Sequence, residues 1–262
     1  MSNPDNRLNT SVRSEDTARF FLVLPAAGSG IRMNSDVPKQ YTIVNGLPLL
    51  QHTLLRVATY SRFTRVVLVL AQDDDRWPLL ESQLPISLRE KLLIRTGGNQ
   101  RMNSVNNALL ALASEANGDD WVLVHDVVRP CLHTNDIENL IVNLHGESTG
   151  GLLAVPVRET LKESDSHQMV KSTVDRTGLW LAATPQMFRY SILQHGLQTA
   201  IGNGLQVTDE AAAVEALGLP VKLVQGRADN IKVTYPEDLA LVAVLLEAAS
   251  LAQCSTASIN EN

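Results

Sequence analysis

Short apolar runs alternate with segments of helical period along most of this chain. The runs that we interpret as strands are Phe20–Leu24, Val66–Leu70, Leu92–Arg95, Trp121–His125, Leu152–Val157 and Val221–Gln225. A strand that returns through a helix to a second strand makes a parallel crossover, so the alternation predicts a parallel sheet with helices on both faces. We therefore expect an α/β fold.

The intervening segments carry helix signals. The clearest helical segments are Leu49–Tyr60, Asn103–Ala116, Thr134–Leu144 and Asp209–Leu217, followed by an apolar core segment at Leu239–Leu251. Thr208 is the predicted N-cap of the fourth, which ends before Gly218. Asp209 and Glu210 suit the dipole of its first turn, so a capping role for this triplet stands beside a substrate contact.

One interval breaks the alternation. Val155–Glu163 and Met169–Asp175 are predicted to be two strands joined by a polar turn. A two-stranded ribbon is marginal by itself in water, so we expect this hairpin arm, residues 155–180, to pack against its own domain or a second subunit. The remaining organisation is one domain over residues 19–252, with flexible tails at 1–18 and 253–262.

Charge and cysteine content restrict the function classes. A formal net charge of −6 and a pI near 5.5 argue against nucleic acid or an anionic membrane as partner. Cys131 and Cys254 form no Cys-x-x-Cys motif, which favours a reducing cytoplasm over a disulfide framework. No secretory signal or apolar run of membrane-spanning length is present in this sequence, and the six histidines show no paired metal spacing.

A small-residue loop follows the first predicted strand. Without bulky side chains at Pro25–Gly30, backbone N–H groups can approach an anion closely. A dinucleotide fingerprint would need glycine at Met33, and a Walker A loop would need Gly-Lys-Ser/Thr, so neither applies. Arg32 and Lys39 are placed to flank a triphosphate, which predicts phosphoryl or nucleotidyl transfer. A tight strand-to-helix turn is the alternative.

A second motif places an acid and a base at the carboxyl end of a buried strand. His125 and Asp126 follow Trp121–Val124, at the edge where ligands bind in open α/β sheets. Asp126 suits a magnesium ion or a ligand hydroxyl, because magnesium takes one or two carboxylates together with phosphate oxygens. An ion pair between Asp126 and Arg129 that only closes the loop is the alternative.

Two further loops carry polar groups. The turn at Gly97–Gly98 leads into a predicted helix and offers backbone amides and the Ser104 hydroxyl for reading a base edge. Asn103 as an N-cap and a structural Arg101 are the alternative. Lys232 lies near the end of a strand before the final helix, and its significance depends on the other motifs.

The chain resembles the 2-C-methyl-D-erythritol 4-phosphate cytidylyltransferase family in an ordered set of motifs that spans nearly its whole length. They are Pro25-Ala-Ala-Gly28-Ser-Gly30-Ile-Arg32-Met33, Pro38-Lys39-Gln40-Tyr41, Gly97-Gly98 with Arg101 and Ser104-Val105, Val124-His125-Asp126 with Arg129-Pro130, Thr184-Pro185-Gln186, Thr208-Asp209-Glu210 and Asn230-Ile231-Lys232-Val233-Thr234. The resemblance implies a Rossmann-like, three-layer nucleotidyltransferase fold with a twisted, mainly parallel sheet and a protruding β-hairpin arm.

The activity that the resemblance implies joins methylerythritol phosphate to CTP in the non-mevalonate isoprenoid pathway, with Mg²⁺ present and pyrophosphate released. The attacking phosphate oxygen is already anionic, so positioning and charge neutralisation carry the acceleration. An alternative is a cytidylyltransferase for another polyol phosphate such as ribitol 5-phosphate. A non-catalytic nucleotide-binding protein of the same fold is disfavoured because Arg32 and Lys39 are both kept.

The resemblance also implies residue roles. The catalytic residues are Arg32, Lys39, Arg176 and Lys232. CTP contacts Ala26, Ala27, Gly28, Gly30, Gly98, Ser104 and Asp126, and Asp126 lies near the magnesium ion. Methylerythritol phosphate contacts Asp126, Arg129, Thr160, Arg176, Thr184, Thr208 and Lys232. The arm reaches across a homodimer, so Thr160 and Arg176 serve the neighbouring subunit's site.

One motif departs from the family pattern. The family commonly has two alanines where this chain has Val127 and Val128, beside the ligand acid Asp126. If Val127 faces the nucleotide, the pocket is tighter than usual, while the reaction type is unchanged.

Overall fold

A seven-stranded sheet organises the computed structural model of this protein, which describes residues 18–28 and 37–259, with side chains to residue 251. The strands are, in chain order, β1 (Phe20–Pro25), β2 (Ile43–Val44), β3 (Leu47–Pro48), β4 (Phe63–Leu70), β5 (Leu92–Thr96), β6 (Trp121–Val124), β7 (Gly150–Pro156), β8 (Leu161–Ser164), β9 (Val170–Val174), β10 (Trp180–Arg189) and β11 (Lys222–Gln225). The spatial order of the main sheet is β11-β7-β10-β6-β1-β4-β5.

Every strand of this sheet except β10 runs in one direction. β1 pairs in parallel with β4 and β6, β4 with β5, and β11 with β7, whereas β10 is antiparallel to both β6 and β7. The expectation of a mainly parallel sheet is therefore confirmed.

Helices cover both faces of the sheet. They are α1 (Leu49–Thr53), which continues as a π-helical turn (Leu54–Ala58), α2 (Trp77–Ser82), α3 (Ile86–Arg89), α4 (Arg101–Leu112), α5 (Thr134–Leu144), α6 (Tyr190–Gly202), α7 (Glu210–Glu215) and α8 (Asp238–Ile259). The apolar sides of α4, α6 and α7 pack in one core cluster, and those of α1, α5 and α8 pack in the other. The predicted three layers are present.

The central strand β1 shows why this sequence forms a buried sheet. Its residues Phe21, Val23 and Leu24 are fully buried, as is Leu22. Because successive side chains of a strand point to opposite faces, Leu22 and Leu24 enter one core while Phe21 and Val23 enter the other. An uninterrupted apolar run is therefore required at the middle of the sheet.

Two large elements were not predicted from the sequence. β10 enters the sheet between β6 and β7, and α6 follows it directly. The pairing of β10 with β7 shifts register between Ala182 and Gln186, where Pro185 lacks an N–H group for the ladder. This interruption divides β10 into short pieces that carry no clear strand period.

The hairpin arm is present. β8 and β9 form an antiparallel two-stranded sheet of their own, joined by the turn that follows Ser164. The arm extends from the ends of β7 and β10, which still pair at Pro156 and Trp180. The predicted first strand is shorter than expected, because residues 157–160 separate β7 from β8.

The two ends of the chain were expected to be tails. Residues 1–17 and 260–262 lie outside the described part, so the proposed boundaries stay predictions there. α8 continues past residue 252 to Ile259. In the ranges that the structure describes, no helix combines the length and apolarity needed to cross a bilayer.

Candidate active site

A cavity of about 410 Å³ lies where the loops after β1, β5 and β6 meet. Its lining includes many of the residues singled out from the sequence, namely Ala26, Ala27, Gly28, Lys39, Gly98, Ser104, Asp126 and Lys232. The carboxyl ends of parallel strands share one edge of the sheet, which is why residues far apart in sequence converge here.

The two glycine-containing loops touch each other closely. A Cβ atom added at Gly97 would lie 2.4 Å from Cβ of Ala27 and 2.9 Å from Oγ of Ser104. One added at Gly98 would lie 2.5 Å from Cβ of Asn103. Only glycine fits these contacts, so the chain keeps both loops beside the cavity. A Cβ at Gly28 would meet nothing within 4 Å, which leaves its backbone open.

Ser104 holds its loop together. Its hydroxyl accepts a hydrogen bond from the backbone N–H of Gly98 at 3.1 Å and donates to the carbonyl of Gln100 at 3.3 Å. The side chain thus fixes the backbone of the second loop next to the cavity.

Lys39 reaches the cavity from a short 3-10 turn, Lys39–Tyr41. The neighbouring Gln40 is buried, and its Nε2 donates to the carbonyl of Ala26 at 2.8 Å. This bond ties the turn to the first loop and places Lys39 at the cavity. Gly30 and Arg32, which were predicted to act with it, lie outside the described residues.

Asp126 is surrounded by positive charge. Its Oδ2 is 2.8 Å from Nζ of Lys232 and 3.9 Å from Nε of Arg129, and its Oδ1 is 3.2 Å from Nε and 3.1 Å from Nη2 of Arg101. Burial raises the pKa of this carboxyl, but the three cations outweigh burial and hold the pKa well below its usual range. Asp126 is therefore ionised, and the predicted ion pair with Arg129 is one part of a larger cluster.

Glu210 extends this cluster on the other side of Arg101. Its Oε1 lies 2.6 Å from Nη1 of Arg101, and its side chain is 1% exposed. Burial raises the pKa of Glu210, while the charge of Arg101 lowers it. Two carboxylates, Asp126 and Glu210, thus share one guanidinium.

Sequence reasoning gave Glu210 only a helix-dipole or contact role, and Arg101 a structural one as the alternative. The partners are 109 residues apart, so no local spacing reports their contact. The one available signal was the presence of both residues in the ordered motif set.

Thr208 does not cap α7. Asp209 is the N-cap, because its Oδ1 accepts from the backbone N–H of Ala212 at 2.9 Å. The Asp209 side chain also accepts from Nε2 of Gln186 at 2.9 Å. Thr208 is exposed one residue earlier and does not line the cavity. The prediction failed because threonine and aspartate are both good caps, and packing against Gln186 selects the aspartate.

His125 is a scaffold residue, not a base. It is fully buried, and both ring nitrogens are engaged: Nε2 donates to the carbonyl of Arg129 at 3.1 Å, and Nδ1 accepts from Oγ1 of Thr184 at 3.0 Å. Thr184 Oγ1 in turn accepts from the backbone N–H of Asp126 at 3.1 Å. Burial chiefly lowers the pKa of His125 to about 4. The neutral ring fixes the loop that carries Asp126.

Thr184 and Arg129 border the cluster without lining the cavity. Nδ2 of Asn230 donates to the carbonyl of Thr184 at 2.7 Å, and Nη1 of Arg129 donates to the carbonyl of Asn230 at 2.7 Å. These bonds attach the Lys232 loop to the Asp126 loop.

The arm residues lie apart from the cavity. Thr160 precedes β8 and Arg176 follows β9, and both are exposed. The guanidinium of Arg176 donates to the carbonyl of Arg158 on the other side of the arm. The structure of one chain therefore does not bring Thr160 and Arg176 together with the other predicted residues.

Val127 and Val128 line the cavity, as the departure from the family pattern raised. Both are buried, and their backbones are fixed: Oγ1 of Thr53 donates to the carbonyl of Val127 at 2.7 Å, and the N–H of Val233 donates to that of Val128 at 2.9 Å.

A larger cavity of about 840 Å³ lies elsewhere, between α1, the start of α5 and α8. Its lining includes His52, Arg56 and His133, but none of the sequence-predicted site residues. We place the site in the smaller cavity because the glycine loops and the Asp126 cluster meet there. Among the residues covered by the structure, no group of three or more metal-ligating side chains is present.

The smaller cavity combines backbone loops open to an anion, a lysine and a carboxylate ringed by cations, at the ligand-binding edge of an α/β sheet. Together with the three layers, these features define an α/β nucleotidyltransferase. The family model of IspD, 2-C-methyl-D-erythritol 4-phosphate cytidylyltransferase, matches residues 20–248. The chain belongs to this family.

Individual relatives are similar over nearly their whole length. The 2-C-methyl-D-erythritol 4-phosphate cytidylyltransferase of Dechloromonas aromatica (strain RCB) is 48% identical over 231 residues, covering 88% of this chain and 98% of that protein. The one of Pseudomonas syringae pv. tomato (strain ATCC BAA-871 / DC3000) is 47% identical over 221 residues, covering 84% and 92%. The crystal structure of the Francisella tularensis enzyme has a TM-score of 0.74 at 33% identity, covering 87% of this chain and 100% of that chain.

Proposed function

We propose that this chain transfers the CMP moiety of CTP to 2-C-methyl-D-erythritol 4-phosphate, giving 4-diphosphocytidyl-2-C-methyl-D-erythritol and pyrophosphate in the non-mevalonate isoprenoid pathway. Family membership over residues 20–248 is the observation that carries this proposal. The convergence of Lys39, Lys232 and the glycine loops on one cavity supports it.

The reaction is a displacement at phosphorus. A phosphate oxygen of the alcohol phosphate forms a bond to the α-phosphorus of CTP, and the bond from that phosphorus to the bridging oxygen of the β-phosphate breaks. The bonding pair leaves with pyrophosphate. Because the nucleophile is an anion, no side chain has to remove a proton, and the neutral, fully bonded His125 agrees with that requirement.

Lys39 has the role of stabilising the transition state on the nucleotide side. Charge accumulates on the α-phosphate oxygens during the displacement, and a cation fixed by its neighbours stabilises that charge without reorganisation. The bond from Gln40 to Ala26 supplies this fixation. Backbone N–H groups of Ala26, Ala27, Gly28 and Gly98 bind the nucleotide, with Arg32 and Gly30 as proposed partners outside the described residues.

Lys232 and Arg129 bind the phosphate of the incoming alcohol phosphate. Both cations lie at Asp126 and are tied to the Asn230 loop or form part of it. Thr184 fixes the backbone of Asp126, and Thr208 remains a proposed contact from the start of α7.

Magnesium is proposed as the metal cofactor. Asp126 is the one carboxylate that lines the cavity, and magnesium commonly combines one carboxylate with phosphate oxygens of a nucleotide, so the residues present fit that ion. When bound, magnesium would neutralise triphosphate charge. The residues of this chain orient CTP and the alcohol phosphate around it.

We propose a homodimer in which the arm completes the site of the neighbouring subunit. The arm exposes apolar side chains, including Met169 at 66%, Val170 at 64% and Leu181 at 61%. Exposed apolar area of this kind favours an interface. Thr160 and Arg176, remote from the cavity of their own chain, then contact the alcohol phosphate in the partner's site.

Two coarser assignments accompany the function. We propose a cytoplasmic location, supported by Cys131, a buried free thiol of the kind that a reducing compartment maintains. We also propose residues 19–252 as one nucleotidyltransferase domain, with the arm within it.

The test of the function is turnover of CTP with two alcohol phosphates, methylerythritol phosphate and ribitol 5-phosphate. Pyrophosphate release and the mass of the cytidylylated product are measured for each. We expect a large preference for methylerythritol phosphate in kcat/KM. A preference for ribitol 5-phosphate would overturn the substrate, and CTP binding without product from either would overturn the enzyme assignment.

A further inference from the structure

The three cations around Asp126 differ in how firmly they are held. Arg101 bonds two carboxylates, Asp126 and Glu210, through different nitrogens of its guanidinium. Its side chain is 30% exposed, whereas that of Glu210 is 1% exposed. A planar guanidinium gripped at both ends by charged acceptors has little freedom to turn. Arg101 is the fixed cation of the cluster.

Lys232 is held at one point. Its ammonium contacts Oδ2 of Asp126 at 2.8 Å, and among the described residues this carboxylate is its one ion-pair partner. The side chain is 37% exposed and stands on a segment without helix or strand structure. A lysine on a flexible four-carbon stem can exchange one acceptor oxygen for another. Arg129 is also weakly coupled, with Nε 3.9 Å from Asp126.

The charge balance of the cluster makes this difference useful. Before substrate binds, Asp126 and Glu210 face three cations, Arg101, Arg129 and Lys232. When Lys232 moves to the phosphate of the alcohol substrate, Asp126 loses its nearest counter-ion. A buried carboxylate without a partner is costly, so the transfer requires another cation to stay.

We propose that Glu210 is a positioning residue, which holds Arg101 against Asp126 so that Lys232 can leave Asp126 for the phosphate of the alcohol substrate. This inference rests on the proposed function and deepens it. Glu210 touches neither substrate. It acts through Arg101, and its effect falls on the binding of the alcohol phosphate more than on CTP.

Removal of Glu210 tests the inference. In Glu210→Ala, Nη1 of Arg101 loses its acceptor, the guanidinium turns away, and Asp126 retains Lys232. We expect the KM for methylerythritol phosphate to rise about ten-fold or more, the size expected when a hydrogen bond between charged groups is lost. The KM for CTP is expected to change less. Glu210→Gln keeps an acceptor oxygen and is expected to fall between Glu210→Ala and wild type.

A joint replacement separates positioning from folding. Glu210→Ala leaves a buried guanidinium short of a partner and lowers stability, but replacing both members by Met removes that penalty. In Arg101→Met/Glu210→Met we expect the melting temperature to return toward wild type while the KM for methylerythritol phosphate stays high. A double variant with both a restored melting temperature and a wild-type KM would show that the pair is only structural and would overturn the inference.

The control is a second arginine–glutamate pair outside the site. Glu115 accepts from Nε of Arg65 at 3.1 Å, and neither residue lines the cavity. Glu115→Gln is expected to leave both KM values unchanged. Wild-type turnover of methylerythritol phosphate decides the proposed function separately, because that assay is independent of Glu210.

Discussion

Single side chains in this enzyme gain their chemical role from the residues that fix them. Lys39 is an ordinary lysine in sequence, but the bond from Gln40 to the carbonyl of Ala26 places its turn at the cavity. His125 looks like a base beside an acid in sequence, but in the fold both of its nitrogens are bonded. The residue type was predictable in both cases, and the role depended on neighbours.

Replacing Lys39 tests the transition-state role. Lys39→Ala is expected to lower kcat about 10²–10³-fold, because a fixed charge that acts on the transition state is lost. The KM for CTP is expected to change less. Steady-state kinetics with CTP and methylerythritol phosphate measure both.

The control for Lys39 is Lys222→Ala. Lys222 is exposed and pairs with Glu147 at 2.7 Å, away from the cavity. Its kcat is expected to match wild type. Equal kcat values for wild type and Lys39→Ala would contradict the mechanism.

His125 predicts a specific pH dependence of stability. Burial lowers its pKa from 6.5 in the unfolded chain to about 4 in the folded one. Between those values the unfolded chain binds a proton that the folded chain does not, so the free energy of unfolding decreases as the pH falls, by about 3 kcal/mol over the window. Urea denaturation without magnesium or nucleotide measures this slope.

The comparison variant is His125→Asn, which has no group titrating in that window. Its stability at neutral pH is expected to be lower, and its decline between pH 6.5 and 4 shallower than that of wild type. If the two proteins lost stability in parallel, the buried neutral state of His125 would be wrong.

At the scale of elements, the strands were largely predictable and their neighbours were not. β1, β4, β5, β6, β7 and β11 were found at nearly the expected residues, because buried parallel strands are uninterrupted apolar runs. β10 escaped notice because Pro185 and a register shift break its pattern. α5 was predicted with its observed bounds, Thr134–Leu144.

The loop after β5 gives a prediction at this scale. Gly97→Ala would place a Cβ 2.4 Å from Cβ of Ala27, so the two glycine-containing loops must separate. We expect a loss of about 1–3 kcal/mol in stability from the overpacking, together with a raised KM for CTP. Denaturant titration and steady-state kinetics measure the two effects.

Gly146→Ala is the matched control, because an added Cβ there meets nothing within 4 Å. It is expected to change neither quantity by a comparable amount. A Gly97→Ala protein with wild-type stability and KM would show that the two loops are not in tight contact.

At the scale of the whole molecule, the arm is the feature that one chain does not explain. It carries the exposed Arg176 and Thr160 away from the cavity and presents apolar side chains to solvent. A dimer that completes each site in trans accounts for both observations.

Mixed dimers test this arrangement. Lys39→Ala and Arg176→Ala are each expected to be nearly inactive, because each of the two sites in a dimer lacks one cation. A heterodimer of the two variants, purified through two affinity tags, combines Lys39 of one chain with Arg176 of the other in one site. It is expected to recover about half of the wild-type activity, since one of the two sites is complete. No recovery in a stable heterodimer would exclude sharing in trans.

The sequence by itself determined the layered α/β fold, the small-residue loops and the identity of the chemically active side chains, because strand burial, backbone freedom and charge are local properties of residues. The tertiary structure alone decided the antiparallel place of β10 and the union of Glu210, Arg101 and Asp126 in one ion network. Those features join residues far apart in the chain, and long-range pairing leaves no periodic trace in sequence. Packing therefore selected which of the available polar groups became partners.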